Sequence, residues 1–176
     1  MKNIVLLVVD MQKALVKEHP YNERMVIDNI KRLIASSRKN NVEVVFVRHD
    51  DGPGEELERG KDGWQVYEEL EPQEGEYIVD KEYNSAFHKT DLREYLNSKN
   101  IDTVILTGMQ TEYCIDATLK SAFDYEYEII IPEETNTTFD NEYMTGGNLY
   151  EFYNYKIWNK RFAKVMPVED VIKLMK

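Results

Sequence analysis

Apolar runs alternate along the chain with helix-like patterns. Residues 4–9 form a continuous run of Ile, Val and Leu, which is typical of a strand buried on both faces. Apolar residues then recur at helical spacing and predict a helix over about residues 22–40 (Val26, Ile30, Leu33 and Ile34). The first two predicted elements are therefore a strand and an amphipathic helix, joined by a linker.

The same two patterns continue to the end of the chain. Further strands are predicted at residues 42–47, 77–81, 103–107, 128–131 and 163–166. Helices are predicted at residues 64–70, 114–125, 148–158 and 168–175, and after Thr90, a good N-cap for a helix that carries Leu92, Tyr95 and Leu96. Residues 50–76 hold eleven acidic residues, and we expect solvated loop and short helix there.

Strands that alternate with helices predict an α/β fold. Right-handed crossovers give one six-stranded, mainly parallel sheet with helices on both faces. Open sheets of this type bind ligands beyond the carboxyl ends of their strands, near the point where the strand order reverses. Polar residues at the strand exits are therefore the first candidates for a functional site.

Composition narrows the class of protein. A chain of 176 residues with 42% hydrophobic and 31% charged residues has the balance of a globular domain. The net charge of −11 disfavours nucleic acid and anionic membranes as partners. A single cysteine excludes an intrachain disulfide, and the run at residues 4–9 is too short for a membrane span. We expect one cytoplasmic domain over residues 1–176.

Three potentially reactive side chains follow predicted strands. Asp10 follows the first strand, Lys81 ends the third, and Cys114 begins the helix after the fourth. Because parallel strands share a carboxyl edge, the three groups should meet there. A thiol nucleophile needs a carboxylate to take its proton, and a cation and a helix N-terminus to favour the thiolate. The alternative is an ordinary structural role for each residue, since lone cysteines are often buried in cores.

Three segments resemble the isochorismatase-like cysteine hydrolases. They are VVDMQ at residues 8–12, VDKEYNSAF at 79–87 and GMQTEYCIDAT at 108–118, with support from VFVRHD at 45–50 and KTDLREYL at 89–96. The resemblance runs in register over almost the whole chain. It implies a three-layer, Rossmann-like fold with strand order 3-2-1-4-5-6 and a catalytic triad of Asp10, Lys81 and Cys114.

The resemblance also implies the chemistry of the site. It places a cis peptide bond between Met109 and Gln110, and backbone N–H groups of Gln110 and Cys114 in an oxyanion hole. Asp10 would accept the thiol proton, Cys114 would attack an amide-type carbonyl, and water would hydrolyse the thioester. Lys81 would keep the neighbouring groups in useful protonation states. We expect a hydrolase that cleaves a C–N bond of a small amide, imide or carbamoyl compound.

The resemblance raises the question of a metal. Some members of the family, the nicotinamidases, hold a metal with an aspartate and two histidines after the second strand. His49, Asp50 and Asp51 occur there, but residues 50–76 contain no further histidine. A zinc site with three protein ligands and a water is hard to assemble from this set. We therefore expect no metal and no cofactor.

Other residues near the strand exits are candidates for the walls of a small-molecule pocket. By proximity they are Gln12, His49, Trp64, Asn84, Phe87 and Tyr113. Amide and aromatic groups suit a small substrate that is flat or polar. For Trp64 and Phe87, packing in a core or interface is an equal alternative. For His49 the alternative is a partly exposed loop position.

Large rings crowd residues 143–158, the aromatic segment. It holds Tyr143, Tyr150, Phe152, Tyr153, Tyr155 and Trp158, too many rings for one helical stripe. Aromatic residues are enriched in interface cores, so we predict a homodimer or higher homo-oligomer that buries this segment. The alternative is packing against the chain's own acidic loop.

Three other functions stay open. An isochorismatase-type ether hydrolase does not rely on a cysteine nucleophile, and no basic patch for a dicarboxylate substrate is obvious in the sequence. A non-catalytic binding protein is free to lose Asp10, Lys81 and Cys114, yet all three are present. A Rossmann oxidoreductase is disfavoured because no G-x-G-x-x-G motif follows the first strand.

Overall fold

A parallel sheet forms the centre of the molecule. The structure is a computed structural model and describes residues 3–176. Its strands are β1 (Ile4–Val9), β2 (Glu43–His49), β3 (Tyr77–Lys81), β4 (Thr103–Met109), β5 (Glu128–Pro132), β6 (Asn136–Thr137) and β7 (Lys164–Met166). They are ordered β3-β2-β1-β4-β5-β7, with β6 paired to the end of β4, and the pairings among them are parallel.

Helices cover both faces of this sheet. They are α1 (Lys13–Lys17), α2 (Glu23–Lys39), α3 (Leu92–Ser98), α4 (Asp116–Asp124), α5 (Gly146–Glu151) and α6 (Val168–Leu174). A 3₁₀ turn spans Glu68–Leu70, and π-helical turns span Thr111–Ile115 and Phe152–Trp158. Among residues 3–176, no helix has both the length and the apolar character that crossing a lipid bilayer requires.

β1 lies at the middle of the core. All six of its residues are buried, as a strand covered on both faces requires. Its side chains alternate between the two faces: Leu6 and Val8 join the core that contains α2 and α6, whereas Leu7 and Val9 join the core that contains α3 and α4. The strand order reverses at β1, so a ligand site is expected where β1 and β4 end.

The predicted fold class is confirmed. The six predicted strands are present in the predicted order, and the last of them is numbered β7 because the sheet has one additional short strand. That strand, β6, has only two residues, Asn136 and Thr137, and both are polar. A strand this short and polar gives no hydrophobic signal, so the sequence pattern could not predict it.

Two local predictions between β1 and β3 are wrong. The helix predicted at residues 64–70 is only the 3₁₀ turn at Glu68–Leu70, because backbone groups of this segment bond elsewhere: Tyr67 N donates to Met11 O at 2.8 Å. The linker predicted after β1 contains α1. This helix has five residues, too few for helical periodicity to appear in the sequence.

The N-cap predicted for α3 is displaced by one residue. Asp91, not Thr90, occupies the N-cap position. Thr90 Oγ1 instead donates to Ala86 O at 2.6 Å and accepts a long 3.4 Å hydrogen bond from Leu92 N. Thr90 therefore ties the start of α3 to the preceding loop.

The helices predicted at residues 114–125 and 148–158 begin earlier than predicted and contain π turns. In the first, Ile115 N donates to Gln110 O at 3.1 Å, five residues back. In the second, Asn159 N donates to Asn154 O at 3.1 Å, also five residues back. Such wide turns are rare and have no sequence signature, but they are frequent at functional sites.

The aromatic segment is divided between core and surface. Tyr150 and Trp158 are buried and Tyr153 is packed against the core, whereas Tyr143, Phe152 and Tyr155 are exposed, Tyr143 by 85%. Half of these rings are therefore used within the chain itself. The homo-oligomer that buries the others stays a prediction, which sedimentation at micromolar concentration tests.

Candidate active site

Three side chains from separate strand exits meet at one point. Asp10 follows β1, Lys81 ends β3, and Cys114 lies in the π turn after β4. Lys81 Nζ donates to Asp10 Oδ2 at 2.7 Å and lies 3.3 Å from Cys114 Sγ. Sγ and a carboxylate oxygen of Asp10 are within 4.8 Å of each other. The structure thus brings together the three residues that the sequence pattern singles out.

His49 extends this cluster towards solvent. Lys81 Nζ is 2.9 Å from His49 Nδ1, and His49 Nε2 is 3.0 Å from Asp51 Oδ1. Because an ammonium group can only donate, Nδ1 accepts and Nε2 carries the hydrogen that faces Asp51. All three N–H bonds of Lys81 are then used, on Asp10, His49 and Cys114. The orientation of its buried ammonium group is therefore fixed.

The same cluster provides a test for a metal. Asp10, His49 and Cys114 each offer one donor atom, and these atoms lie within 4.8 Å of one another. The Lys81 ammonium, however, is within 2.7–3.3 Å of all three donors and so occupies the position that a metal ion would take. A second cation there would be repelled strongly in so buried a place. These residues therefore do not fit a resident metal.

Two special backbone conformations bring the strand exits together. Asp10 has a φ of 53°, in the left-handed region that aspartate tolerates better than most residues, and its N–H donates to Val47 O at 2.9 Å. Gly108, beside β1, has a φ of 118°, and a Cβ atom there would lie 2.0 Å from Val9 O. Only glycine fits this approach of β4 to β1.

Buried hydrogen bonds hold the turn that carries the thiol. The Met109–Gln110 peptide bond is cis, and Thr111 follows it. Thr111 Oγ1 donates to Asn136 Oδ1 at 2.9 Å. Asn136 and Asn154, the buried amide pair, exchange hydrogen bonds of 2.9 and 3.0 Å. Because these side chains are fully buried, the turn is anchored to β6 and to the aromatic segment.

Burial dominates the electrostatics of the thiol. Burial, with a smaller contribution from the Asp10 carboxylate, raises the pKa of Cys114 to about 12, and the Lys81 ammonium only partly opposes this increase. The resting site therefore holds a neutral thiol, in contrast to the expectation that the cation and the helix N-terminus make it anionic. Asp10 Oδ1 is buried and has no hydrogen-bond partner among the described residues. That free oxygen is available to accept a proton.

A cavity of about 210 Å³ opens beside the thiol. Its lining residues are Asp10, Leu15, His49, Asp51, Leu57, Asn84, Met109, Gln110, Tyr113 and Cys114. His49, Asn84 and Tyr113 are therefore where the proximity argument places them, and Cys114 Sγ is 3.9 Å from Asn84 Oδ1. The cavity is small compared with the pockets that bind most drug-sized ligands.

Gln12 does not line this cavity and instead holds its rim. The side chain is fully buried, and its amide nitrogen donates to His49 O at 2.9 Å and to Trp64 O at 3.0 Å. Its amide oxygen accepts from His49 N at 2.8 Å. The predicted contact with substrate is thus replaced by a role in positioning His49.

Trp64 and Phe87 also lie outside the lining of the cavity. The Trp64 ring is buried beneath the Arg48 guanidinium, 3.5 Å from the ring centre. Phe87 is buried against Tyr125 and Tyr127. Core packing, the alternative weighed for both residues, is what the structure shows.

Three lining residues were missed by the sequence argument. Leu15 comes from α1, and Leu57 from the acidic loop at residues 50–76. Neither has a periodic pattern around it, so only the folded loop reveals them. Asp51 does carry a sequence signal for the pocket, since it comes two residues after His49 at the exit of β2.

Known proteins of one family resemble the chain in sequence and fold. The Isochorismatase domain model matches residues 5–170. The ureidoacrylate amidohydrolase RutB of Yersinia enterocolitica is 26% identical over 87% of this chain and 83% of that protein. YwoC of Bacillus subtilis, an uncharacterized isochorismatase family protein, is 32% identical over 78% of this chain and 79% of that protein.

A solved structure gives the same result. The crystal structure of an isochorismatase family protein has a TM-score of 0.88 against this chain at 30% identity, and the match covers 94% of this chain and 99% of the other. The family expected from the sequence segments is confirmed. The chain belongs to the isochorismatase family of hydrolases.

Proposed function

We propose that the protein is a metal-independent cysteine hydrolase that cleaves a C–N bond of a small amide, imide or carbamoyl compound. The observation that carries the proposal is that Cys114 Sγ and the Asp10 carboxylate lie at the wall of a small cavity, with the buried Lys81 ammonium bonded to both. A relative named as a ureidoacrylate amidohydrolase supports the amide type of reaction.

In the first half-reaction, Cys114 is acylated. Asp10 accepts the thiol proton while Sγ attacks the carbonyl carbon, because a thiol with a raised pKa needs a base at the moment of attack. The resulting oxyanion is held by the backbone N–H groups of Gln110 and Cys114. Asp10 then gives its proton to the leaving nitrogen, the C–N bond breaks, and the amine departs from a thioester.

In the second half-reaction, water releases the acid. Asp10 takes a proton from the water while the oxygen of that water bonds to the thioester carbon. The C–S bond then breaks, and the sulfur recovers the proton from Asp10. Lys81 bonds to Asp10, His49 and Cys114 in the resting site, so it keeps carboxylate and sulfur close through both half-reactions.

The test is turnover of a panel of small amides and ureides, followed by ammonia or amine release. Cys114→Ala should lower the rate by at least about a thousandfold, as loss of a nucleophile does in comparable hydrolases. Lys39→Ala, an exposed change at the far end of α2, serves as the control and should match the wild type. Mass spectrometry of acid-quenched wild type should show an acyl adduct on Cys114.

Two outcomes would contradict the proposal. Equal amide turnover by wild type and Cys114→Ala would remove the nucleophile from the reaction. Release of pyruvate from isochorismate by both proteins would instead assign the ether hydrolysis that does not need a thiol.

A further inference from the structure

The charges around the cavity indicate the charge of the substrate. We infer that the site takes small amides or ureides whose remaining part is apolar and carries no negative charge, and that Asp51 excludes anions. This inference rests on the proposed function. The observation behind it is that the charged side chains lining the cavity are two carboxylates, Asp10 and Asp51.

Lys81, the cation at the site, cannot form an ion pair with a substrate carboxylate. Its side chain has no exposed surface, and it does not line the cavity. Its three N–H bonds are used on Asp10, His49 and Cys114. His49 adds no positive charge in this arrangement, because its Nδ1 accepts from Lys81.

Basic side chains of the adjoining loops are engaged elsewhere. Arg48 donates two hydrogen bonds to Asp80, at 2.8 and 3.2 Å. Arg59 lies 3.6 Å from Asp50 and, with Lys89, lines a separate cavity of about 320 Å³. Among residues 3–176, no lysine or arginine lines the cavity beside the thiol. An anionic group entering it would face Asp51 and would find no cation in the lining, because Lys81 is buried and already bonded to Asp10.

The uncharged part of the lining favours an apolar group. Leu15, Leu57 and Met109 contribute aliphatic side chains, and Leu57 is 5% exposed. Asn84 and Tyr113 supply polar atoms near Cys114. With a volume of about 210 Å³, the cavity has room for an amide group and a short alkyl chain. The substrate class is therefore a short aliphatic amide or an alkyl urea.

The experiment uses pairs of compounds with equal shape and different charge. In the amide pair, succinamate carries a carboxylate where 4-methylpentanamide carries an isopropyl group. In the urea pair, N-carbamoyl-β-alanine carries the carboxylate and isopentylurea the isopropyl group. In wild type at low ionic strength, kcat/KM for the neutral member should exceed that for the anion by about tenfold or more, as expected for a substrate carboxylate that shares one small cavity with the Asp51 carboxylate. Added salt should reduce the ratio.

Asp51→Asn tests the assigned residue, since asparagine can still accept the hydrogen bond from His49 Nε2. The ratio of neutral to anionic kcat/KM should fall severalfold in this variant. Glu74→Gln makes the same charge change on the same loop, at an exposed side chain outside the cavity, and should leave the ratio unchanged.

Binding to Cys114→Ala separates this inference from the proposed function. Calorimetry on this variant needs no turnover, and it should show tighter binding of the neutral member of each pair. An anion that binds as well as its neutral partner, or is hydrolysed as fast, would overturn the inference and leave the cysteine mechanism standing. Absence of amide turnover by wild type, with neutral compounds still bound preferentially, would overturn only the mechanism.

Discussion

The cavity has two walls that are built in different ways. The nucleophile wall consists of Met109, which ends β4, and of Gln110 and Cys114 after it. The loop wall consists of Asp51 and Leu57 and belongs to the acidic loop at residues 50–76. The first is anchored by fully buried hydrogen bonds of the amide pair, whereas the second is tied to the domain partly by exposed ion pairs.

This difference separates chemistry from specificity. Breaking a buried hydrogen bond leaves unsatisfied polar groups, which costs about 1–3 kcal/mol each, so the position of the thiol is strongly constrained. Exposed ion pairs contribute little and are screened by salt. The loop wall can therefore change its shape and charge with small effects on folding, while the nucleophile wall cannot.

The largest expected effect comes from Gly108→Ala, next to the nucleophile wall. The new Cβ would lie 2.0 Å from Val9 O, and the φ of 118° is unfavourable for alanine. The backbones of β1 and β4 would have to separate, so we expect a loss of at least about 4 kcal/mol in the free energy of unfolding, or failure to fold. Urea denaturation measures this loss.

The acidic loop at residues 50–76 offers a matched control for that prediction. Gly54 also has a positive φ, 97°, but an added Cβ meets nothing within 4 Å. Gly54→Ala should therefore cost only the backbone strain, about 1–2 kcal/mol. Equal losses in the two variants would show that strain at φ, and not the contact with Val9, explains the first.

The next largest effect concerns the buried amide pair. Asn136→Ala removes the acceptor of Thr111 and the partner of Asn154, both fully buried. We expect a loss of about 2–4 kcal/mol in the free energy of unfolding and a fall in kcat with little change in KM, because the turn that carries Cys114 loses its anchor. Denaturation and steady-state kinetics measure the two effects.

The control for the amide pair lies in the same aromatic segment. Asn148 is exposed, and Asn148→Ala should change the free energy of unfolding by less than about 0.5 kcal/mol. The double variant Asn136→Ala and Asn154→Ala should lose less than the sum of the single losses, since the two residues share their hydrogen bonds. Additive losses would show that the two amides act independently.

Much of this architecture could be predicted from the sequence. The apolar run at residues 4–9 identifies a doubly covered strand, and strands in parallel order necessarily place Asp10 and Lys81 at one edge. The position of Cys114 after another buried strand completes the set. These are consequences of periodicity and topology, which local residue patterns determine well.

The environment of those groups could not be predicted in the same way. The role of Gln12 depends on hydrogen bonds to His49 and Trp64, which are distant in the chain. Leu57 reaches the cavity through a loop without periodicity. The protonation of Cys114 depends on how fully the fold excludes water from the sulfur, and burial outweighs the nearby ammonium.

That burial leads to a pH prediction for the nucleophile wall. A raised thiol pKa lowers the thiolate fraction at neutral pH, so alkylation by iodoacetamide should be slow and should keep rising above pH 9, where an ordinary thiol levels off. Asp10→Asn removes a charge that raises this pKa. The variant should be inactive in turnover and yet alkylate about tenfold faster at about pH 8.

Two results would contradict this interpretation of the thiol. A plateau in the alkylation rate of wild type below pH 8 would mean that the resting sulfur is already anionic. Slower alkylation of Asp10→Asn than of wild type would mean that the carboxylate promotes thiolate formation in the absence of substrate. A control for unfolding in each buffer excludes the possibility that denaturation exposes Cys114.

The smallest effect is expected where the acidic loop that carries the loop wall is tied to α1. Lys13 Nζ lies 2.7 Å from Asp62 Oδ1, and Lys17 Nζ lies 3.9 Å from Asp62 Oδ2. Lys13→Ala should leave the urea midpoint within error, because an exposed pair contributes little to global stability. Cleavage of residues 50–76 by a glutamate-specific protease should still become faster, since the loop opens locally.

Lys17→Ala should accelerate cleavage less, and salt should reduce the difference between the two variants. A Lys13→Ala loss as large as that of Asn136→Ala would mean that both walls are equally constrained, and specificity could not then vary apart from chemistry.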